Sequence, residues 1–196
     1  MNIFWLDWNP EECAKAYSDK HVIKIILEIV QMLYTVHHEL DQTTFEDGYR
    51  PTHKQHPMTR WVGECQGNYI HVISLGIALC DEYSFRFKGR VHKCRAHLER
   101  LQICFPKNWN AWPISLKRKR NEISATFFAS DNIPLHLTPI PLCMPSQYYH
   151  SNPIQAYKQY YCSSQKMAIH VWKNNRPPPV WINHALDLHK KMKTMS

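Results

Sequence analysis

Glycine is scarce in this chain: 5 of 196 residues. Neither G-x-G-x-x-G nor G-x-x-x-x-G-K occurs, so a dinucleotide fold or a P-loop built on glycine turns lacks its signature. The seven cysteines stand at 13, 65, 80, 94, 104, 143 and 162 with no C-x-x-C among them. Long apolar runs are also missing, and none reaches the length needed to span a bilayer, so no membrane partner is expected. The opening MNIFWLDWNPEE lacks a basic stretch and carries Asp7, which argues against a secretory signal. An odd number of thiols without a signal predicts free cysteines in a reducing, intracellular setting.

What is present is apolar mass and positive charge. Residues of hydrophobic type make up 44% and aromatics 12% of the chain, enough to bury a real core. Lys and Arg number 24 against 16 Asp and Glu, a net charge of +8. Such a surface is drawn to polyanions. Aromatic residues lie near several basic clusters, which favours nucleic acid as the partner.

The pattern predicts a mainly α, compact single-domain fold over 1–196, with two long helices and long proline-rich loops. Asn9-Pro10-Glu11-Glu12 reads as a cap, a proline at the first helical position and two acids at the positive end of the helix dipole. A helix is expected from there to about His38. Residues 39–55 are polar and turn-rich. His56-Pro57 opens a second long helix to about Lys88, ended by Gly89, with Ile70, Ile73 and Ile77 as its core stripe. A shorter helix is expected over 91–104. Residues 105–153 form a loop-rich insertion, since prolines crowd its second half. A further helix is expected over 153–173, and one short helix in the tail.

The first helix carries the chemistry. VIKIILEIVQMLY (22–34) is apolar on nearly every side, the mark of a buried helix. Yet Tyr17, His21, Lys24, Glu28, Gln31, Thr35 and His38 share about 100° of arc at 100° per residue. Polar groups on a buried helix must pair or line a cavity. A carboxylate between Leu27 and Ile29 tends toward a raised pKa and suits acid or base work. Lys24, one turn away, holds it ionised or, if desolvated, becomes a nucleophile itself. Asp19, Lys20 and His21 extend the set upstream. On the second helix, Arg60, Glu64, Asn68 and His71 follow one side, so the two helices are expected to face one another across a polar cleft. Glu82 and Arg86 read as an i,i+4 pair, with Arg86 also a candidate for positioning substrate.

Two further features point to nucleic acid. Lys117-Arg118-Lys119-Arg120 is a compact basic run, equally a solvated loop or a nuclear localisation signal. Ala156-Tyr157-Lys158-Gln159-Tyr160-Tyr161 mixes aromatic and basic residues on a helix and suits phosphate contact with base stacking. A zinc ligand set drawn from Cys94, His92, His97 and His53 or His56 matches no standard finger spacing, so no metal or other cofactor is assigned.

The segments MNIFWLD, YSDKHVIKIILEIVQML, HPMTRW, ALCDEYSFRF and IQAYKQYY resemble a family of phage and large-DNA-virus proteins. Its members typically open M-N-I-F-x-L-D, carry C-D-K-H-V-x-K-M-I-x-E-x-x-Q-L-L and H-P-x-x-x-W, and have A-Y-R-x-Y-Y near the end. The likeness covers most of the chain outside 40–52 and 105–140. More distantly, Ser18-Asp19-Lys20-His21 with Glu28 seven residues on, and AYKQYY near the end, are similar to the phage pyrimidine-dimer DNA glycosylase/AP lyases of the endonuclease V type. That resemblance implies a small helical DNA repair enzyme in which Glu28 is the catalytic carboxylate. His21 and Lys20 would lie beside the DNA backbone or lesion, and no metal or organic cofactor would be needed.

The family attacks the sugar with the α-amine of a processed N-terminal Thr. Such an amine, with a pKa of about 7.7–8.0, is about a tenth to a sixth unprotonated at pH 7, far more than lysine. Residue 2 here is Asn, whose bulk is expected to retain Met1. The nucleophile is then the amine of Met1 or of Lys24, or there is no lyase step. Leu27 and Gln31 stand where the family has arginines. The expected function is a base-excision DNA glycosylase acting on damaged or modified pyrimidines, with or without AP-lyase activity. Gln31, Arg60, Asn68, Arg86, Tyr157, Lys158, Tyr160 and Tyr161 would join Asp19 and Lys20 in holding substrate. The alternatives are a base-modifying transferase or nuclease on the same scaffold, or a viral nucleic-acid-binding protein without chemistry.

Overall fold

The computed structural model describes residues 2–119 and 136–194. Among the described residues are eight α-helices and no β-strand, so the fold is mainly α. In chain order they are α1 (Pro10–Ala16), α2 (Asp19–Asp41), α3 (Pro57–Glu64), α4 (Gln66–Arg86), α5 (Arg95–Ile103), α6 (Pro153–Tyr161), α7 (Ser164–Met167) and α8 (Asn183–Thr194).

Both long helices expected from sequence are broken. Asn9 caps α1 as read, its side-chain oxygen accepting from the amides of Glu11 (2.8 Å) and Glu12 (3.2 Å). The helix stops at Tyr17 and Ser18, which are extended at ψ 141 and 158. No proline or glycine forces the break. Tertiary bonds do: the buried Tyr17 hydroxyl accepts the Phe4 amide and donates to the Phe4 carbonyl, each at 2.7 Å. The Ser18 amide meanwhile donates to the Tyr161 hydroxyl at 2.8 Å. After the break, α2 runs 23 residues, about 35 Å at 1.5 Å per residue. It ends on Gln42, which takes the left-handed conformation at φ 53 usually left to glycine.

The second long helix is interrupted at Cys65 (φ −158, ψ 160). Gly67, just beyond, lets the 136–138 segment approach: a Cβ there would stand 1.9 Å from the His136 carbonyl oxygen. Gly89 ends the α4 segment as expected, at φ +76 with its amide on the Ser84 carbonyl. The core stripe of α4 differs from the expected isoleucines. Ile70 is 41% exposed, while Tyr69, Val72, Ile73, Leu75 and Leu79 are buried. The helix expected over 153–173 stops at Tyr161, and only the short α7 follows before the chain becomes extended.

α4 packs along α1 and α2, with α3 and α5 against α2 and α4. The N-terminal residues Ile3, Phe4, Trp5 and Leu6 are extended and fully covered by this assembly. Leu137, Ile140, Leu142 and Met144 also enter the core. The loop-rich stretch is therefore tied to the helices. Tyr157 fixes it by donating to the Pro141 carbonyl (2.8 Å) and accepting the Cys143 amide (3.3 Å). No described helix is long and apolar enough to cross a membrane.

Candidate active site

The polar stripe of α2 is neither a solvated face nor one wall of a cleft toward the second helix. The N-terminal segment, the 143 region and the α6–α7 end lie over its upper part. Together they enclose a small pocket of about 230 Å³ lined by Asn2, Phe4, His21, Lys24, Ile25, Glu28, Cys143, Tyr160 and Lys166. The lower part of the stripe is consumed by a loop: Thr35 donates to the Gln31 carbonyl (2.8 Å) and accepts the Thr52 amide (3.0 Å). Three larger hollows, of about 980, 620 and 370 Å³, lie elsewhere, and in the third Glu64 is paired with Arg118. Their principal carboxylates are already engaged, Asp41 with the amides of Lys107 and Asn108 and Glu82 with two arginines. Chemistry rather than size selects the smaller pocket.

Glu28 is the carboxylate of this pocket. Its side chain is 10% exposed, and Oε1 lies 3.4 Å from Lys24 Nζ. Oε2 accepts the backbone amide of Asn2 at 2.7 Å. That amide belongs to the first peptide bond of the chain, and the Asn2 side chain is anchored in turn by donating to the Cys143 carbonyl (2.8 Å). Met1 lies outside the described residues. Lys24 does not meet the condition set for it as a nucleophile. Its side chain is 69% exposed, so water surrounds the ammonium and the necessary desolvation is missing.

His21 is 6% exposed. Its Nδ1 is 2.8 Å from the Tyr161 hydroxyl and 3.3 Å from Ser18 Oγ. Burial, reinforced by His170 and by Lys166, Lys24 and Lys20, pushes its pKa down to about 3, so the ring is neutral at pH 7. Phe4 packs against it at 4.8 Å between ring centroids. The Cys143 thiol is pushed up to about 11 by burial and is likewise neutral. Tyr160 presents its ring to the pocket beside Tyr148 (5.2 Å).

Several residues expected at the substrate are scaffold instead. Arg86 is 2% exposed. It donates to Glu82 Oε1 (2.6 Å), the Tyr17 carbonyl (2.6 Å), Asp19 Oδ1 (3.1 Å) and the Lys15 carbonyl (3.0 Å). The Glu82–Arg86 pair is thus buried, not on the surface, and Asp19 is spent within the same cluster. Arg60 donates to the carbonyls of Leu116 (2.9 Å) and Lys117 (2.7 Å). Asn68 clamps Thr138, accepting its amide (2.9 Å) and donating to its hydroxyl (2.6 Å). Tyr157 and Tyr161 are fully buried and offer no face to a base. Lys158 is half-buried over the Trp181 ring at 5.5 Å. Lys20 is exposed and Gln31 half-buried, neither among the pocket residues. In the basic run, Arg118 turns inward to Glu64 (Nη2 to Oε2, 2.6 Å) while Lys117 and Lys119 are exposed; Arg120 lies outside the described residues.

Asn2, Phe4, Cys143 and Lys166 are site residues that the sequence reading did not single out. They come from three separate stretches of chain, and no periodicity links them to α2. Among the described residues no three His, Cys, Asp or Glu side chains gather to hold a metal. The side chains considered for zinc go elsewhere, His92 to the Cys94 amide (3.2 Å) and His97 to the Tyr34 hydroxyl (2.8 Å). Comparison with family models, curated proteins and solved structures gives no match.

Proposed function

We propose that the chain is a DNA-acting enzyme, a base-excision glycosylase with AP-lyase chemistry, working at the Glu28 pocket. The observation that carries this reading is the bond from the first peptide amide of the chain to Glu28 Oε2 at 2.7 Å. It holds Asn2, the neighbour in sequence of the amine that this reading requires, against the carboxylate. With Lys24 solvated, the nucleophile is the α-amine of Met1, whose pKa class leaves about a tenth to a sixth of it unprotonated at pH 7, far more than of a solvated lysine.

In this mechanism the amine attacks C1′ of a nucleotide flipped out of the duplex, because that carbon is shielded within the stack. The base departs and takes up a proton. The sugar ring opens, leaving an imine between C1′ and the amine. Glu28, as a carboxylate, then removes a proton from C2′, and the 3′ phosphate leaves by β-elimination. On a pre-formed abasic site the same amine adds to the C1′ aldehyde, and water leaves as the imine forms. The net charge of +8 supports a polyanionic substrate. Seven free thiols support a reducing, intracellular setting.

The test is base release and strand cleavage on duplexes carrying a pyrimidine dimer, an abasic site or no lesion, with Glu28→Gln beside the parent. The amide keeps an acceptor for the Asn2 amide, so folding is retained while proton abstraction is lost. The expected result is lesion-dependent cleavage that falls by about 10²–10⁴-fold in the variant. Equal activity in both, or none in the parent on any of the three duplexes, would overturn the reading.

A further inference from the structure

The pocket holds a cation whose position is fixed without a carboxylate. Lys166 Nζ stands 5.2 Å from the Phe4 ring centroid and 5.1 Å from that of Tyr160. An ammonium over two aromatic faces is held by the negative charge on those faces. Its hydrogen-bond donors remain uncommitted among the described residues. Ser163 starts the turn that carries Lys166, which donates its amide back to the Ser163 carbonyl at 2.9 Å. The side chain lines the pocket beside Phe4 and Tyr160.

His21 faces the same space, and its neighbours decide what it offers. The Tyr161 hydroxyl accepts the Ser18 amide (2.8 Å), so its own proton is free to go to His21 Nδ1 (2.8 Å) or to Ser18 Oγ (3.3 Å). In the arrangement proposed below it goes to the shorter contact. A neutral imidazole that accepts at Nδ1 carries its proton at Nε2. Nε2 has no partner among the described residues and is not sealed from solvent, so it opens on the pocket.

The lining therefore presents Lys166 and Lys24 ammoniums and an imidazole N–H, all donors, around a single carboxylate. Among these side chains two ammoniums stand against one carboxylate, an excess of one positive charge. We infer that Lys166 and the Nε2–H of His21 form an oxyanion subsite that binds one phosphodiester, a monoanion matching that charge, with Tyr161 as the residue that positions His21. This rests on the DNA-acting reading above for its biological substrate, but not for its test.

The experiment uses dimethyl phosphate at constant ionic strength, with the intact protein labelled at histidine nitrogen and observed by NMR. Free protein should show His21 protonated at Nε2 and bare at Nδ1. Dimethyl phosphate should shift the Nε2 signal saturably, and an equal concentration of chloride should not. Lys166→Met keeps an unbranched stem over the two rings and removes the charge. It should weaken binding by about tenfold or more, the size of one hydrogen bond to a charged group, and Lys166→Arg should restore it. A His21 proton at Nδ1, an Nε2 signal indifferent to dimethyl phosphate, or unchanged affinity in Lys166→Met would each overturn the assignment. The parent titration stands even if a variant fails to fold. No DNA or turnover enters the assay, so the subsite can fail while lesion cleavage succeeds, and the reverse.

Discussion

Arg86→Met should be among the most damaging single changes in the chain, although it touches no pocket residue. The guanidinium has no exposed side-chain surface and closes a junction between the α1–α2 break and the end of α4. Its four donated bonds end on Glu82, Asp19 and the carbonyls of Tyr17 and Lys15. Methionine fills most of the stem volume but donates nothing. Glu82 would retain Arg176, at 2.7 and 2.9 Å. Asp19 would keep only the Lys173 amide at 3.2 Å, and two carbonyls would lose this donor. Removing one partner of a buried ion pair costs about 3–5 kcal/mol. At about 2–4 °C per kcal/mol for a chain of this size, the melting temperature should fall by about 6–20 °C. Thermal unfolding followed by circular dichroism measures it, and urea unfolding gives the free energy. Arg176→Met is the internal control: that side chain is 22% exposed and Glu82 would keep Arg86, so about 1–2 kcal/mol is expected. A loss for Arg86→Met below about 1 kcal/mol, or no larger than the control, would refute the buried-junction argument.

Two further outcomes follow from the same contacts. Gly67→Ala should destabilise the chain by more than 1 kcal/mol, as about 1–3 kcal/mol is usual for overpacking, because the new Cβ meets the His136 carbonyl and a backbone atom cannot rotate away. Equal melting temperatures for Gly67→Ala and the parent would show that the 136–138 segment does not sit there. Burial lowers the pKa of His21 to about 3 and of His37 and His71 to about 4, against about 6.5 in the unfolded chain. Below 6.5 the unfolded chain binds these protons and the folded one does not. The stability they contribute is complete above pH 6.5 and is lost as pH falls toward 4 and then 3. Thermal melts from pH 7.5 to 4.5 should show a steady fall, and a flat profile over that window would contradict the neutral burial of these rings.

Much of the helical content was legible in local chemistry. Asn9-Pro10, His56-Pro57 and Asn152-Pro153 each open a helix through a side-chain cap and a proline at a first helical position. Gly89 closes one. The breaks at Tyr17-Ser18 and at Cys65 were not legible, because their causes are distant: Phe4 and Tyr161 for the first, His136 and Thr138 beside the second. The α2 stripe announced Glu28 and His21 as buried polar groups needing partners, and both sit at the pocket. What covers that stripe could not be read from α2 itself. Asn2, Cys143 and Lys166 arrive from the chain start and from more than a hundred residues downstream. Arg86, Asp19 and Asn68 looked like substrate ligands for the same reason they make good scaffold. A buried polar side chain must be satisfied, and sequence does not say whether substrate or backbone satisfies it.

Borohydride trapping on a duplex with a single abasic site tests the central claim most directly. Reduction of an imine between protein and sugar leaves a stable covalent adduct, and peptide mapping locates the amine. The proposed Met1 nucleophile predicts an adduct on the N-terminal peptide, retained in Lys24→Met. DNA binding without any adduct, or an adduct confined to the Lys24 peptide, would contradict the placement of the chemistry at the start of the chain.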